Sequence, residues 1–76
     1  MSLVNLDTSG LKCPLPVLKA RKALKDLVAG DQLRLVSTDP SSVQDMAAFC
    51  ETAGHKLCEQ IEEDGTFVYL IEKGDK

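Results

Sequence analysis

The chain has 76 residues, 43% of them hydrophobic and 4% aromatic, with a formal net charge of −3. That length gives one domain, residues 1–76, with a small core near the lower limit for folding without staples, and it excludes a multidomain architecture. Three cysteines form an odd set with no close C-x-x-C pair, and neither a signal peptide nor an apolar run of membrane length is read, so the expectation is a reduced, cytoplasmic protein with no membrane association.

The elements follow in chain order. The stretch "LVNLD" reads as a first strand that ends at the turn Thr8-Ser9-Gly10. A first helix follows Cys13, because Val17, Ala20, Leu24, Leu27 and Val28 recur at helical spacing and Gly30 lies just beyond as a stop. Its opposite face is basic. Residues 12 to 25 hold Lys12, Lys19, Arg21, Lys22 and Lys25 with no acid, which leaves −8 on the rest of the chain. "QLRLVST" has strand character, and Asp39-Pro40 then reads as an N-cap followed by proline in the first turn of a second helix. Val43, Met46, Ala47 and Cys50 form the buried stripe of that helix, with Gly54 as its cap. The segment "KLCEQIEEDGTFVYLIEK" reads as two strands joined by a tight turn at Asp64-Gly65. Phe67, Tyr69 and Ile71 alternate with Val68 and Leu70, so both faces of the last strand are apolar, as in a central strand. The order β-α-β-α-β-β predicts an α/β two-layer sandwich, with two helices packed on one face of a four-stranded mixed sheet.

The motif that carries chemistry is Cys13 with Pro14 and Pro16. If Cys13 is the N-cap, the prolines fall at the first and third helical positions, where missing N–H groups cost no intrahelical bond. The amides of Cys13 and Leu15 then remain to cradle an anion. A helix N-terminus favours negative charge by roughly 0.3–1 kcal/mol, and Lys12 adds to this, so thiolate is expected to be favoured over thiol. The usual companions of a hydrolytic cysteine are missing, since the one histidine, His55, follows the second helix. With no second cysteine close in sequence, a thioredoxin-type dithiol cycle has little support. What remains is a thiolate that receives a group and hands it on.

Two stretches resemble a known family. "LDTSGLKCPLPVLKARKAL" is similar to the signature of the TusA/SirA-type sulfur carriers, a glycine (here Gly10) followed by Cys-Pro-x-Pro at the head of the first helix. "STDPSSVQDMAAFCETAGHKL" resembles their second segment, and the likeness extends from Leu6 to Lys73. It implies a sandwich similar to the C-terminal domain of translation initiation factor three, with the last strand inside the sheet. It also implies sulfur relay. A cysteine desulfurase or rhodanese-like donor passes sulfane sulfur to Cys13 as a persulfide, and a downstream acceptor protein removes it for tRNA thiolation, molybdenum-cofactor assembly or sulfur oxidation. Such a chain is a sulfurtransferase-type carrier rather than a stand-alone catalyst, with no resident cofactor.

The other candidate residues carry weaker signals. Lys19 and Arg21 or Lys22 are expected to dock partners by steered, transient association, although the same run reads equally as a solvated helix face. That face supports the alternative reading, a non-catalytic module that docks a protein or RNA. Scarce aromatic residues leave RNA only electrostatic contact, so direct nucleic-acid binding is not expected. Cys50 reads as a buried structural cysteine and Cys58 as incidental. Together with His55 they fit no common zinc spacing, so no metal is expected. Asp39 reads as a helix cap whose neighbourhood could approach the motif loop. A carrier that presents its helix tip to two partners in turn is expected to be a monomer.

Overall fold

The computed structural model describes residues 3–74. Its elements are β1 (Leu3–Thr8), α1 (Leu15–Lys25), β2 (Gln32–Ser37), α2 (Ser42–Ala53), β3 (Lys56–Glu63) and β4 (Thr66–Glu72). The sheet order is β1-β2-β4-β3, with β1 parallel to β2 and β4 antiparallel to both of its neighbours. β2 and β3 therefore run in the same direction, one strand position apart. The α1 crossover steps one place along the sheet and the α2 crossover steps two places the same way. Connections of one hand advancing in one direction put both helices on the same face. The gap left between β2 and β3 is filled by β4, which returns from β3 through a two-residue turn. Asp64 and Gly65 there have φ of 50° and 79°, the paired positive values that a tight hairpin of this twist demands.

Alternation sorts the strands into two faces. Leu33 and Leu35 of β2 and Phe67, Tyr69 and Ile71 of β4 point toward the helices and are buried with Ala20 and Leu24 of α1 and Met46 and Cys50 of α2. Val68 and Leu70 point to the other face, which no element among the described residues covers and where they are half-buried beside Arg34, Val36 and Ile61. The doubly apolar pattern of the last strand thus reflects its central place, as expected, while its second face is shielded only by lateral neighbours. Two residues assigned to buried stripes lie outside them. Val28 follows the end of α1 and is 69% exposed, and Ala47 is exposed on α2.

Polar contacts close the ends of the sandwich. The hydroxyls of Ser42 and Tyr69, both buried, share a hydrogen bond of 2.7 Å. Gly54, with φ of 80°, terminates α2 in the left-handed region, and the His55 amide donates to the Cys50 carbonyl at 2.9 Å. Lys73 Nζ donates to the Leu24 carbonyl at 2.6 Å, which puts a cation at the negative end of α1. The Gly74 amide donates to His55 Nδ1 at 3.0 Å, so the segment after β4 touches the ends of both helices.

Candidate functional site

The loops after β1 and β2 leave the sheet at the carboxyl ends of its two parallel strands, the edge at which open α/β sheets place their ligand sites. Both loops are short and they are tied together. Gly10, with φ of 81°, donates its amide to Thr38 Oγ1 at 2.8 Å, and the Cys13 amide donates to Asp39 Oδ2 at 2.6 Å. The other Asp39 oxygen accepts from the Ser41 amide at 3.1 Å. One carboxylate therefore holds the motif loop against the entry to α2. These bonds, helped by Lys12, hold the Asp39 carboxyl below the ordinary aspartate range.

The local geometry differs from expectation in ways that matter for chemistry. The N-cap of α1 is Pro14, with φ of −96° and ψ of 14°, and Leu15 and Pro16 are the first two helical residues. Cys13 sits one position further out, joined to Pro14 by a cis peptide. The N-cap of α2 is Ser41, and Asp39 acts from outside the helix. The two amides expected to cradle an anion are both occupied, that of Cys13 by Asp39 and that of Leu15 by the Lys12 carbonyl at 2.8 Å. The favourable end of the helix is spent on a carboxylate, and the thiol feels that charge.

Cys13 is the one exposed cysteine of the three. Its side chain opens on a groove of about 520 Å³ between α1 and α2, lined by Val17 and Arg21 from one helix and by Asp45, Phe49 and Thr52 from the other. The Asp45 side chain, then desolvation, then the charges of Asp45 and Asp39, push the Cys13 thiol above its ordinary range. The expected preference for thiolate is thereby reversed. A helix field worth a few tenths of a kcal/mol at an exposed end does not outweigh two nearby carboxylates, those of Asp45 and Asp39.

The remaining sequence candidates fall in distinct places. Pro14 lines the groove beside Cys13, and Pro16 is buried beneath the first turn of α1. Lys12 is exposed, and its charge acts on Asp39. Of the basic residues on α1, Arg21 reaches the groove, whereas Lys19 and Lys22 are exposed elsewhere on the helix. Cys50 is buried, and burial pushes its thiol up to about 11, so it is inert at neutral pH. Cys58 is half-buried on β3. His55 packs its ring 5.6 Å from that of Phe49. Sequence reasoning missed Asp45. An acid in the first turn of a helix already has a sufficient explanation in the helix dipole. The signal lay in the spacing of Asp45, Phe49 and Thr52, which forms a second row beside the buried stripe and faces α1.

A two-layer α/β sandwich that displays a single accessible thiol at the head of its first helix defines the class, a small protein built around one cysteine. The sulfurtransferase TusA family matches residues 4–73, and the chain belongs to that family. It is 48% identical over 68 residues to a sulfur carrier protein TusA of Allochromatium vinosum, covering 90% of each chain. It is 46% identical over 68 residues to a sulfur carrier protein TusA of Pseudomonas aeruginosa, covering 90% of this chain and 86% of that one. A crystal structure of a SirA-like protein from Desulfitobacterium hafniense superposes with a TM-score of 0.80 at 31% identity, covering 99% of this chain and all of the other. No helix among the described residues is long and apolar enough to cross a membrane.

Proposed function

We propose that the chain is a sulfur carrier that holds sulfane sulfur as a persulfide on Cys13. The observation that carries this reading is the exposed Cys13 thiol, fixed at the head of α1 by the Asp39 bridge, in a chain whose family relatives are named sulfur carriers. In the loading step the Cys13 sulfur attacks the outer sulfur of a donor persulfide. The donor's sulfur–sulfur bond breaks, a new one forms at Cys13, and the Cys13 proton ends on the departing donor thiol. The outer sulfur moves without net oxidation or reduction. Delivery repeats the exchange on an acceptor cysteine.

The donor is a cysteine desulfurase or rhodanese-like protein, and the acceptor serves tRNA thiolation, molybdenum-cofactor assembly or sulfur oxidation. Arg21 is the docking residue closest to the chemistry, with Lys19 and Lys22 contributing electrostatic steering from α1. Each partner must reach the same helix tip in turn, which a monomer in the cytoplasm allows.

The test is intact-protein mass spectrometry without reductant, after incubation with a desulfurase, its pyridoxal phosphate and cysteine. Wild type gains the mass of one sulfur atom, reversibly with reductant. Cys50→Ala and Cys58→Ala gain it too, and Cys13→Ser does not. Equal loading of Cys13→Ser and wild type would overturn the reading.

A further inference from the structure

The face of the sheet turned away from the helices is not built for water alone. A sheet that packs one face on a core and leaves the other wet alternates apolar residues inward with polar residues outward. Here Val36, Val68 and Ile61 stand opposite one another across β2, β4 and β3 on the open face, and Leu70 lies two residues along β4 from Val68. Ile61 is 49% exposed, and Leu3, on the same face of β1, is 55% exposed. Two adjoining hollows of about 360 and 330 Å³ open on this face, and they share Ile61, Glu63 and Val68. Together they form one trough that ends at the β3–β4 turn. A contiguous exposed apolar patch with a charged rim marks an interaction surface.

The rim decides what fits. Glu59 and Glu63 of β3 and Asp64 of the turn wall the trough on one side, and Arg34 is the one cation that lines it among the described residues. Three carboxylates beside an apolar floor favour a partner that carries Lys or Arg next to apolar side chains. They disfavour nucleic acid, and they disfavour a second copy, whose trough has the same excess of carboxylates. Residues 66–72 of β4 run for about 20 Å at roughly 3.4 Å per residue, the length of a helix of about 14 residues. A helix about 10 Å across covers two strand spacings of about 4.8 Å.

We propose that the open sheet face docks an amphipathic helix of a basic partner protein, with its apolar stripe on Ile61, Val68 and Leu70 and its Lys or Arg side chains toward Glu59, Glu63 and Asp64. The Cys13 groove lies between the helices, on the other side of the sheet. Both sites can therefore be filled at once, and the inference does not depend on what Cys13 carries. The helix layer draws acidic surfaces and the sheet face draws basic ones, so one molecule holds two partners of opposite charge.

The experiment is an amide NMR titration of the full chain with a synthetic peptide of Leu and Lys, about 14 residues long with Leu at helical spacing, and with its counterpart in which every Lys is Glu. The Leu-Lys peptide is expected to shift the amides of Ile61, Val68 and Leu70 saturably while the Cys13 loop stays unmoved, and the Leu-Glu peptide to leave all of them in place. Joint reversal by Glu59→Lys and Glu63→Lys should weaken binding several-fold, and Ile61→Ser, at an exposed side chain, should do so through lost apolar contact. Retained dispersion of the amide spectrum reports that each variant is folded, and where the charge-reversed chain does not fold, Ile61→Ser decides. Shifts centred on α1 and α2, equal binding of the two peptides, or wild-type affinity in the folded variants overturns the proposal. Concentration-dependent shifts of the same amides without peptide also overturn it, and assign the face to a second copy.

Discussion

At the scale of single residues, the site is an arrangement of two carboxylates around one sulfur, and they do different things. Asp39 works on the backbone. With its carboxyl held below the ordinary range by hydrogen bonds from the amides of Cys13 and Ser41, its contribution to order in the motif loop is present at neutral pH. A group with a depressed folded-state value loses that contribution as pH falls through it, so the loop should loosen only in the acid range, below the ordinary aspartate value of about 3.9. Hydrogen exchange at the Cys13 amide checks this. Asp39→Asn should raise that exchange already at neutral pH, while the amides of β4 stay protected. A second residue-scale prediction concerns the buried hydroxyl pair. Tyr69→Phe leaves the Ser42 hydroxyl without its partner, which should lower unfolding free energy by about 1–3 kcal/mol in a denaturant titration. The pair was invisible in the sequence, because the alternation that buries Tyr69 says nothing about which hydroxyl meets it.

At the scale of elements, α1 is held at both ends by groups distant in sequence. Leu24 anchors its packing face and is 1% exposed. Leu24→Ala should cost about 2–5 kcal/mol of stability, the range for a large-to-small change in a well-packed core. The C-terminal end of the helix depends on the ammonium of Lys73 at the Leu24 carbonyl, and Lys73→Met should lower stability by about 0.3–1 kcal/mol. The neighbouring clasp is pH-sensitive. His55 accepts from the Gly74 amide, and desolvation, with the nearby Lys73 charge, lowers its proton affinity. The neutral ring is the bonded form, so the clasp is intact above the ordinary histidine value of about 6.5 and is lost as pH falls below it. Amide exchange at Gly74 should rise through that window, and His55→Phe should abolish the pH dependence.

The same elements mark how far the sequence could be read. Strand and helix identities, the Asp64-Gly65 hairpin and the central place of β4 were legible because period and breaker residues determine them locally. Helix starts were not. Cys13, from the prolines that follow it, and Asp39, from its residue type, both read as N-caps, yet each helix begins later, because the two loops bond to each other across 26 positions of sequence instead of capping their own helices. The sign of the thiol's preference was lost for the same reason. The helix dipole and Lys12 are local and visible, whereas Asp45 reaches the sulfur only through the packing of α2 against α1.

At the scale of the whole molecule, charge and shape are divided. The basic residues of α1 lie on the helical layer with the thiol groove, and the acids Glu59, Glu62, Glu63 and Asp64 lie along β3 and its turn, with β3 the edge strand farthest from β1. An acidic partner surface is therefore steered toward the helix layer and repelled from the β3 edge. Raising ionic strength should slow sulfur loading by a donor protein while leaving iodoacetamide alkylation of Cys13 unchanged, since only a charged partner is steered.

The filling of the middle of the sheet by β4 has a consequence for how the chain comes into being. As the polypeptide emerges during synthesis, β2 and β3 can each form, but with one strand position between them they share no edge to pair along. The helices α1 and α2 meanwhile have only part of their platform, since Phe67, Tyr69 and Ile71 supply much of the buried surface beneath them. Cooperative folding must wait until residues 66–72 leave the ribosome, and a thiol that has already been exposed for dozens of residues acquires its carboxylate neighbours only then.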